Sequence, residues 1–260
     1  MATQQLSFSF VLPASHSNKY KTFLSTTQTI ARTLLKQEYW AEKHLEQFTE
    51  QNYHNRPYFY NYIRESGCNP FEEYYSDTYY YSRYKRCVYQ KITQILSAHA
   101  DEYKAFKRIL QTCEEKLIKR VGKQKLRQTV FGDESTYVKW SSVQQCIDKL
   151  NQYYKKHGYF PDKYTDLVST PRPNGTLSFS PDDDSIHSIT HDSESQQLQF
   201  TLKIPDEAAT TYHDWDEIST VFDTTSRFEQ LAKNNQLGKP TLHKQKNEKW
   251  TVRIRSGHFN

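Results

Sequence analysis

The sequence predicts an α+β chain, and three observations carry that expectation. Apolar residues recur at helical spacing through most of residues 15–170, they alternate at period two through much of 171–260, and one alternating segment stands alone at the start. That first segment, QLSFSFVLPA, reads as a half-buried strand halted by Pro13. A long helix follows it. Tyr20, Phe23, Leu24, Ile30, Ala31, Leu34 and Leu35 keep helical spacing, with Ser17 or Asn18 as the cap. Farther on, Pro57 can open a short helix and Gly67 can end it. From Phe71 to Val121 the pattern is helical, and two antiparallel helices are expected to meet near SAHADEY, with Leu96, Tyr103, Phe106, Leu110, Cys113 and Leu117 along one seam. WSSVQQCIDKLNQYYKKHGYF predicts another helix, capped by Ser141 or Ser142 and stopped near Gly158.

At the turn cluster TPRPNG the period changes. TLSFS, SIHSIT and QQLQFTLKI alternate as strands of a meander, separated by SPDDD and HDSES. The acidic residues of those two segments read as turn formers rather than metal ligands. TYHDWDEISTVFDTTS leads to a brief helix over RFEQLAKNN, and TLHKQKNEKWTVRIRS closes the chain as a hairpin.

Composition narrows the partners. Mean hydropathy is −0.93, yet 20 Tyr and 14 Phe are present, so much of the core must be built from amphipathic rings. Their default role is packing with the hydroxyl at the surface; stacking on nucleobases is the other reading. The formal net charge is +5. Thirteen Lys or Arg face four Asp or Glu between Arg83 and Arg127, whereas the charged side chains from Pro181 to Glu194 are all acidic. Such asymmetry predicts one basic face. Like charges at helical spacing repel, and a polyanion relieves that repulsion while releasing condensed counterions, although a solvated helical face remains the bland alternative.

Catalytic chemistry finds no anchor. His187 and His191 are four apart, but in an alternating segment and without an HExxH frame. Asp214 and Asp216 flank Trp215 and would share a strand face, which alone does not distinguish metal binding from solvent exposure. There is no phosphate loop, no GxSxG and no GxGxxG. Cys68, Cys87, Cys113 and Cys146 form no CxxC pair, so free thiols in a reducing cytoplasm are expected. No apolar run approaches the roughly 18 residues of a membrane span. Neither cofactor nor metal is therefore expected.

The order of QLSFSFVLPA, KYKTFLSTTQTIARTLLKQEYW, a basic helical insertion, LSFSPDDDSIHSITHDSESQQLQFTLKIPDE and PTLHKQKNEKWTVRI resembles the N-terminal half of TnpB-type (OrfB) transposon-encoded proteins, RNA-guided DNA nucleases related to type V CRISPR effectors. The resemblance implies a β-barrel wedge domain, OB-like, made from a first strand in residues 1–14 and further strands in 171–260, with a helical recognition lobe inserted over 15–170. It implies guide or scaffold RNA and double-stranded DNA as partners. In that family the closing hairpin leads to a RuvC-like nuclease domain and a zinc ribbon. No RuvC carboxylate motif and no CxxC pair occurs in this chain, so the resemblance carries no nuclease activity to it. Cutting would need a separate RuvC-containing polypeptide. The candidate reader of a DNA motif is Tyr53, Asn55, Arg56 and Arg64. The candidate duplex-holding residues are Arg83, Tyr84, Arg86, Lys104, Lys107, Arg108, Lys116, Lys119, Arg120, Lys123 and Arg127. A basic helical module for an acidic protein partner is the competing expectation.

Overall fold

The computed structural model describes residues 6–50, 61, 70–77, 79–80, 82–112, 139–173, 175–178, 187–206, 208–234, 236–245 and 249–256. Seven α-helices are described: α1 (Ser17–Leu34), α2 (Glu42–Glu50), α3 (Pro70–Tyr74), α4 (Ser82–Thr112), α5 (Trp140–His157), α6 (Tyr164–Leu167) and α7 (Ser226–Lys233). Seven strands accompany them: β1 (Ser7–Val11), β2 (Thr176–Ser178), β3 (His187–Asp192), β4 (Gln197–Ile204), β5 (Asp216–Asp223), β6 (Leu237–Lys244) and β7 (Trp250–Ser256). The α+β class is as expected. The chain divides into two compact units, residues 1–31, 69–91 and 173–260 in the first and 32–68 and 92–172 in the second.

The first unit holds every described strand. All pairing is antiparallel, in two sheets: β1-β7-β6-β2 and β3-β4-β5. Among the described residues neither sheet closes into a barrel. The N-terminal strand pairs with the last one, Ser7 opposite Arg255 and Val11 opposite Thr251. The expected meander is redistributed. TLS pairs with β6 in the four-stranded sheet, and the third strand of the sheet that holds SIHSIT and QQLQFTLKI is DEISTVFD, the segment following Trp215, which pairs with QQLQFTLKI. Asp216–Asp223 matches β4 residue for residue along its whole length.

Alternation makes the sheets amphipathic. Phe8 and Phe10 of β1 meet Phe228 of α7 edge-on, with ring centroids 5.2 and 5.6 Å away, and Phe10 lies 5.2 Å from Phe222 of β5. Leu242, Val252 and Ile254 are buried beside them. Where β6 bulges between Leu237 and Pro240, a Cβ on Gly238 would stand 2.9 Å from the Arg255 carbonyl oxygen, so glycine permits the close backbone approach. Tyrosines do much of the remaining packing. Tyr20 and Tyr84 are fully buried, and their hydroxyls meet Thr220 at 3.3 Å and Thr27 at 3.0 Å. Here the hydroxyls lie inside with partners, not at the surface, because an unpaired buried hydroxyl would cost more than its hydrogen bond supplies.

In the second unit, α2 is tied to α6 and α4 through carboxylates. Glu42 accepts from the Tyr164 backbone N–H at 2.8 Å, and Glu46 accepts from the Tyr103 hydroxyl at 3.0 Å. The Trp40 indole N–H donates to the Val168 carbonyl at 2.9 Å. Lys149 pairs with the buried Glu102 at 2.6 Å. Helix α5 ends as expected at Gly158, whose φ of +82° is the left-handed cap. Its N-cap is Lys139, without a side-chain bond, rather than a serine.

The expected turn at SAHADEY does not occur. α4 runs without interruption from Ser82 to Thr112, 31 residues. No Gly or Pro breaks that stretch, and Leu96, Ala100 and Tyr103 at helical spacing are each fully buried, so tertiary packing extends the helix through a weak local signal.

Candidate nucleic-acid interface

Of the expected binding residues, Tyr53, Asn55, Arg56, Arg64, Lys116, Lys119, Arg120, Lys123 and Arg127 lie outside the described residues. The other six fall in two groups. Arg83, Tyr84 and Arg86 belong to the first unit, and Lys104, Lys107 and Arg108 to the second.

Two of the six stand in surroundings that the sequence did not show. Tyr84 is completely buried and stacked on Tyr80 with centroids 5.4 Å apart, and it also meets Trp215 edge-on. Burial pushes its phenol well above the ordinary value. It is a core ring, and it cannot stack on a base without opening that core. Lys107 reaches Glu46 at 2.5 Å and lies 5.8 Å from the Tyr103 ring centroid. Hydrogen bonds from Lys107 and Tyr103 hold the Glu46 carboxyl below its usual range, so the cation is already neutralised. Neighbouring charge is similarly engaged: Lys85 sits 5.5 Å above the Phe71 ring, a cation–π contact. Arg83, Arg86, Lys104 and Arg108 are half-buried.

A different basic surface emerges in the first unit, on the four-stranded sheet. Residues directly opposite each other on paired strands share a face. The register therefore places Ser7 and Ser9 of β1, Arg253 and Arg255 of β7, Thr241 and His243 of β6 and Thr176 of β2 on the side away from Phe8, Leu242, Val252 and Ile254. Among the described residues no Asp or Glu occurs in any of these four strands, which carry Lys239, Lys244, Arg253 and Arg255. The three-stranded sheet is the reverse, with Asp192, Asp216, Glu217 and Asp223 against Lys203 alone.

Hydrogen bonds hold the polar face in order. Arg253 Nε donates to Ser9 Oγ at 3.3 Å, while Arg255 is exposed. Thr241 Oγ1 donates to the Arg253 carbonyl at 3.1 Å, so toward His243 Nε2, 2.9 Å away, it acts as acceptor. Nε2 then carries the proton, and Nδ1 accepts from Thr176 Oγ1 at 3.2 Å. Burial lowers the His243 pKa, and the charges of Arg253, Arg255 and Lys91 lower it further. Lys91 itself is buried, donates to the Thr176 carbonyl, and is brought by burial to a pKa of about 8.

The sequence held a signal for this face. In KWTVRIRS, Thr251, Arg253 and Arg255 alternate with Trp250, Val252 and Ile254, and in PTLHK Thr241 and His243 flank Leu242. What it did not show was that these positions adjoin one another and the serines of β1. Comparison with protein-family models, with curated proteins and with solved structures finds no match.

Proposed function

We propose that the chain binds a nucleic-acid backbone along the polar face of the four-stranded sheet. The observation that carries this reading is the segregation of charge between the sheets: Arg253, Arg255 and His243 share one face of strands that contain no carboxylate among the described residues. The like charges of Arg253 and Arg255 on one face repel, and phosphates at the spacing of a nucleic-acid strand relieve that repulsion, while the neutral His243 offers a hydrogen-bonding ring beside them. Serine and threonine hydroxyls between the cations add hydrogen bonds to phosphate oxygens without reading sequence.

Within that reading, the resemblance to the binding half of TnpB-type proteins supplies the fuller proposal. The sheet is then part of a wedge domain of barrel or OB-like kind, guide RNA and double-stranded target DNA are the partners, and a separate RuvC-containing polypeptide supplies any cutting. The pairing of β1 with β7 supports it, since such a wedge joins the first strand to the last ones. A cytoplasmic location belongs to the same proposal, and the free thiols of Cys87 and Cys146 are in keeping with it.

Arg253→Gln/Arg255→Gln tests the interface. Binding of labelled single-stranded and duplex RNA or DNA, followed by fluorescence anisotropy across a salt series, is expected to weaken. Its log–log salt slope should fall by about 0.7 per lost phosphate contact on a single strand and about 0.9 on a duplex. An unchanged slope removes these arginines from the interface. Nucleic-acid-free preparations that bind no polyanion overturn the function.

A further inference from the structure

Among the described residues, His243 is the only group on the polar face of the four-stranded sheet whose ordinary pKa lies near neutrality. It stands opposite Thr176 of β2 and Thr251 of β7, and the next pair on the same face is Thr241 with Arg253. Hydroxyls engage both of its ring nitrogens: Nε2–H donates to Thr241 Oγ1 at 2.9 Å, and Nδ1 accepts from Thr176 Oγ1 at 3.2 Å. A hydroxyl both donates and accepts. Rotation of the Thr176 hydroxyl therefore allows a second ring proton, on Nδ1, to donate to the same oxygen, so the ring can gain charge without losing a partner. Burial and neighbouring charge hold it neutral instead. Arg253 and Arg255 of β7 and Lys91 of α4 all oppose protonation, while β1 and β2 bring Ser7, Ser9 and Thr176, which carry no charge. Of these cations Arg253 is half-buried and Arg255 exposed, so an anion can reach them.

We propose that binding of a phosphate backbone at Arg253 and Arg255 is coupled to uptake of one proton by His243, so that acidity tightens the complex. This inference rests on the nucleic-acid reading of the same face and adds its regulation. Phosphates seated on the two arginines offset the charges that oppose protonation and leave both hydroxyl partners in place. The coupling is reciprocal: a ligand that makes the ring easier to protonate is held more tightly by the protonated form, by the same factor. In the free chain the ring titrates below its ordinary value of about 6.5, and in the complex its pKa rises. Affinity is therefore level above the pKa of the complex and increases as pH falls through the interval between the two values. A rise of one pKa unit on binding is a tenfold gain. Arginines alone produce no such dependence, because guanidinium and phosphodiester stay charged throughout this range. Lys91 titrates on the alkaline side, at about 8, which separates its contribution from that of the ring.

The test measures binding of a short rhodamine-labelled DNA duplex to the full chain by anisotropy at constant salt, from pH 7 to pH 5.5, wherever circular dichroism shows the chain folded. Affinity is expected to increase about three- to tenfold across that range. His243→Gln should flatten the change, whatever its affinity at pH 7. Thr176→Val removes the acceptor for the second ring proton and should shrink the gain as well. A direct readout on the wild-type chain keeps the test independent of how the variants fold: the ¹³Cε1 resonance of His243, followed over the same pH range, should titrate at a higher pKa with saturating duplex than without it. An unmoved ring pKa overturns the coupling, as does a pH dependence that His243→Gln retains in full. In both cases the duplex still binds, so the nucleic-acid reading survives. A folded chain that binds no duplex at any pH in the range overturns the reading and the coupling together.

Discussion

His44, His99 and His243 occupy places that penalise their charged forms. For each, burial is the largest cause of a lowered pKa, joined at His44 by the charge of Lys43, at His99 by Lys149 and at His243 by Arg253, Arg255 and Lys91. The unfolded chain then binds protons more readily than the folded one as pH falls through the ordinary histidine value of about 6.5. Stability is expected to be full above that value and to decline below it, before depressed carboxyls such as Glu46 and Glu38 begin to protonate. Urea midpoints at pH 7 and pH 5 measure the decline, and His44→Gln should reduce it; an unaltered difference between the two pH values would exclude His44 as a contributor. A second residue-level outcome concerns Thr225, whose side chain accepts the Phe228 N–H at the start of α7. Thr225→Ala should cost about 1 kcal/mol in chemical denaturation and Thr225→Gly only a few tenths. At this scale the sequence was partly legible. Helix α7, the left-handed Gly158 and the turn role of Asp192, which accepts from the Glu194 N–H at 2.9 Å, follow from local chemistry. Asp214 likewise serves its own turn, accepting from Thr210 and Thr211, rather than sharing a strand face with Asp216. The Glu229–His191 contact could not be foreseen, because 38 residues separate the partners and nothing local joins them.

Among the elements, α4 was misread, because short-range patterns do not record how far packing carries an element. SAHADEY looks like a place to turn, yet buried Ala100 and Leu96 hold the helix. β4 holds β5 through a continuous register from Gln197 opposite Asp223 to Ile204 opposite Asp216. Ala98 is exposed in the middle of α4, so Ala98→Gly isolates backbone propensity. It should destabilise by about 1 kcal/mol in an uninterrupted helix and by almost nothing in a turn. Gly238→Ala should cost roughly 1–3 kcal/mol, since the added methyl would press on the Arg255 carbonyl across the bulge. A neutral result there would show that the two strands can separate at little cost.

On the scale of the whole molecule, the sequence established the inventory: an α+β chain, a strand at the start, strands at the end, a helical middle, a net charge of +5 and no recognisable catalytic motif. No described helix is long and apolar enough to cross a membrane. For nucleic-acid binding, Lys104→Gln/Arg108→Gln/Lys119→Gln/Arg120→Gln and Arg253→Gln/Arg255→Gln report separately on helix and sheet contributions to the salt slope, and the larger drop identifies the principal surface. The purified chain should also show no magnesium-dependent DNA cleavage; cutting that survives purification would reveal a site outside those described. Periodicity could determine which positions are apolar and which charged, because 3.6 and 2 are properties of the backbone itself. Only the tertiary structure decided which charges stand together. Ser7 and Arg255 are 248 residues apart along the chain and directly opposite in the sheet. Glu46 pairs with Lys107, and the core encloses Tyr84. Both outcomes follow from Coulomb and burial energies, which depend on separation through space and on which surfaces lose water, and neither quantity is written in the order of the residues.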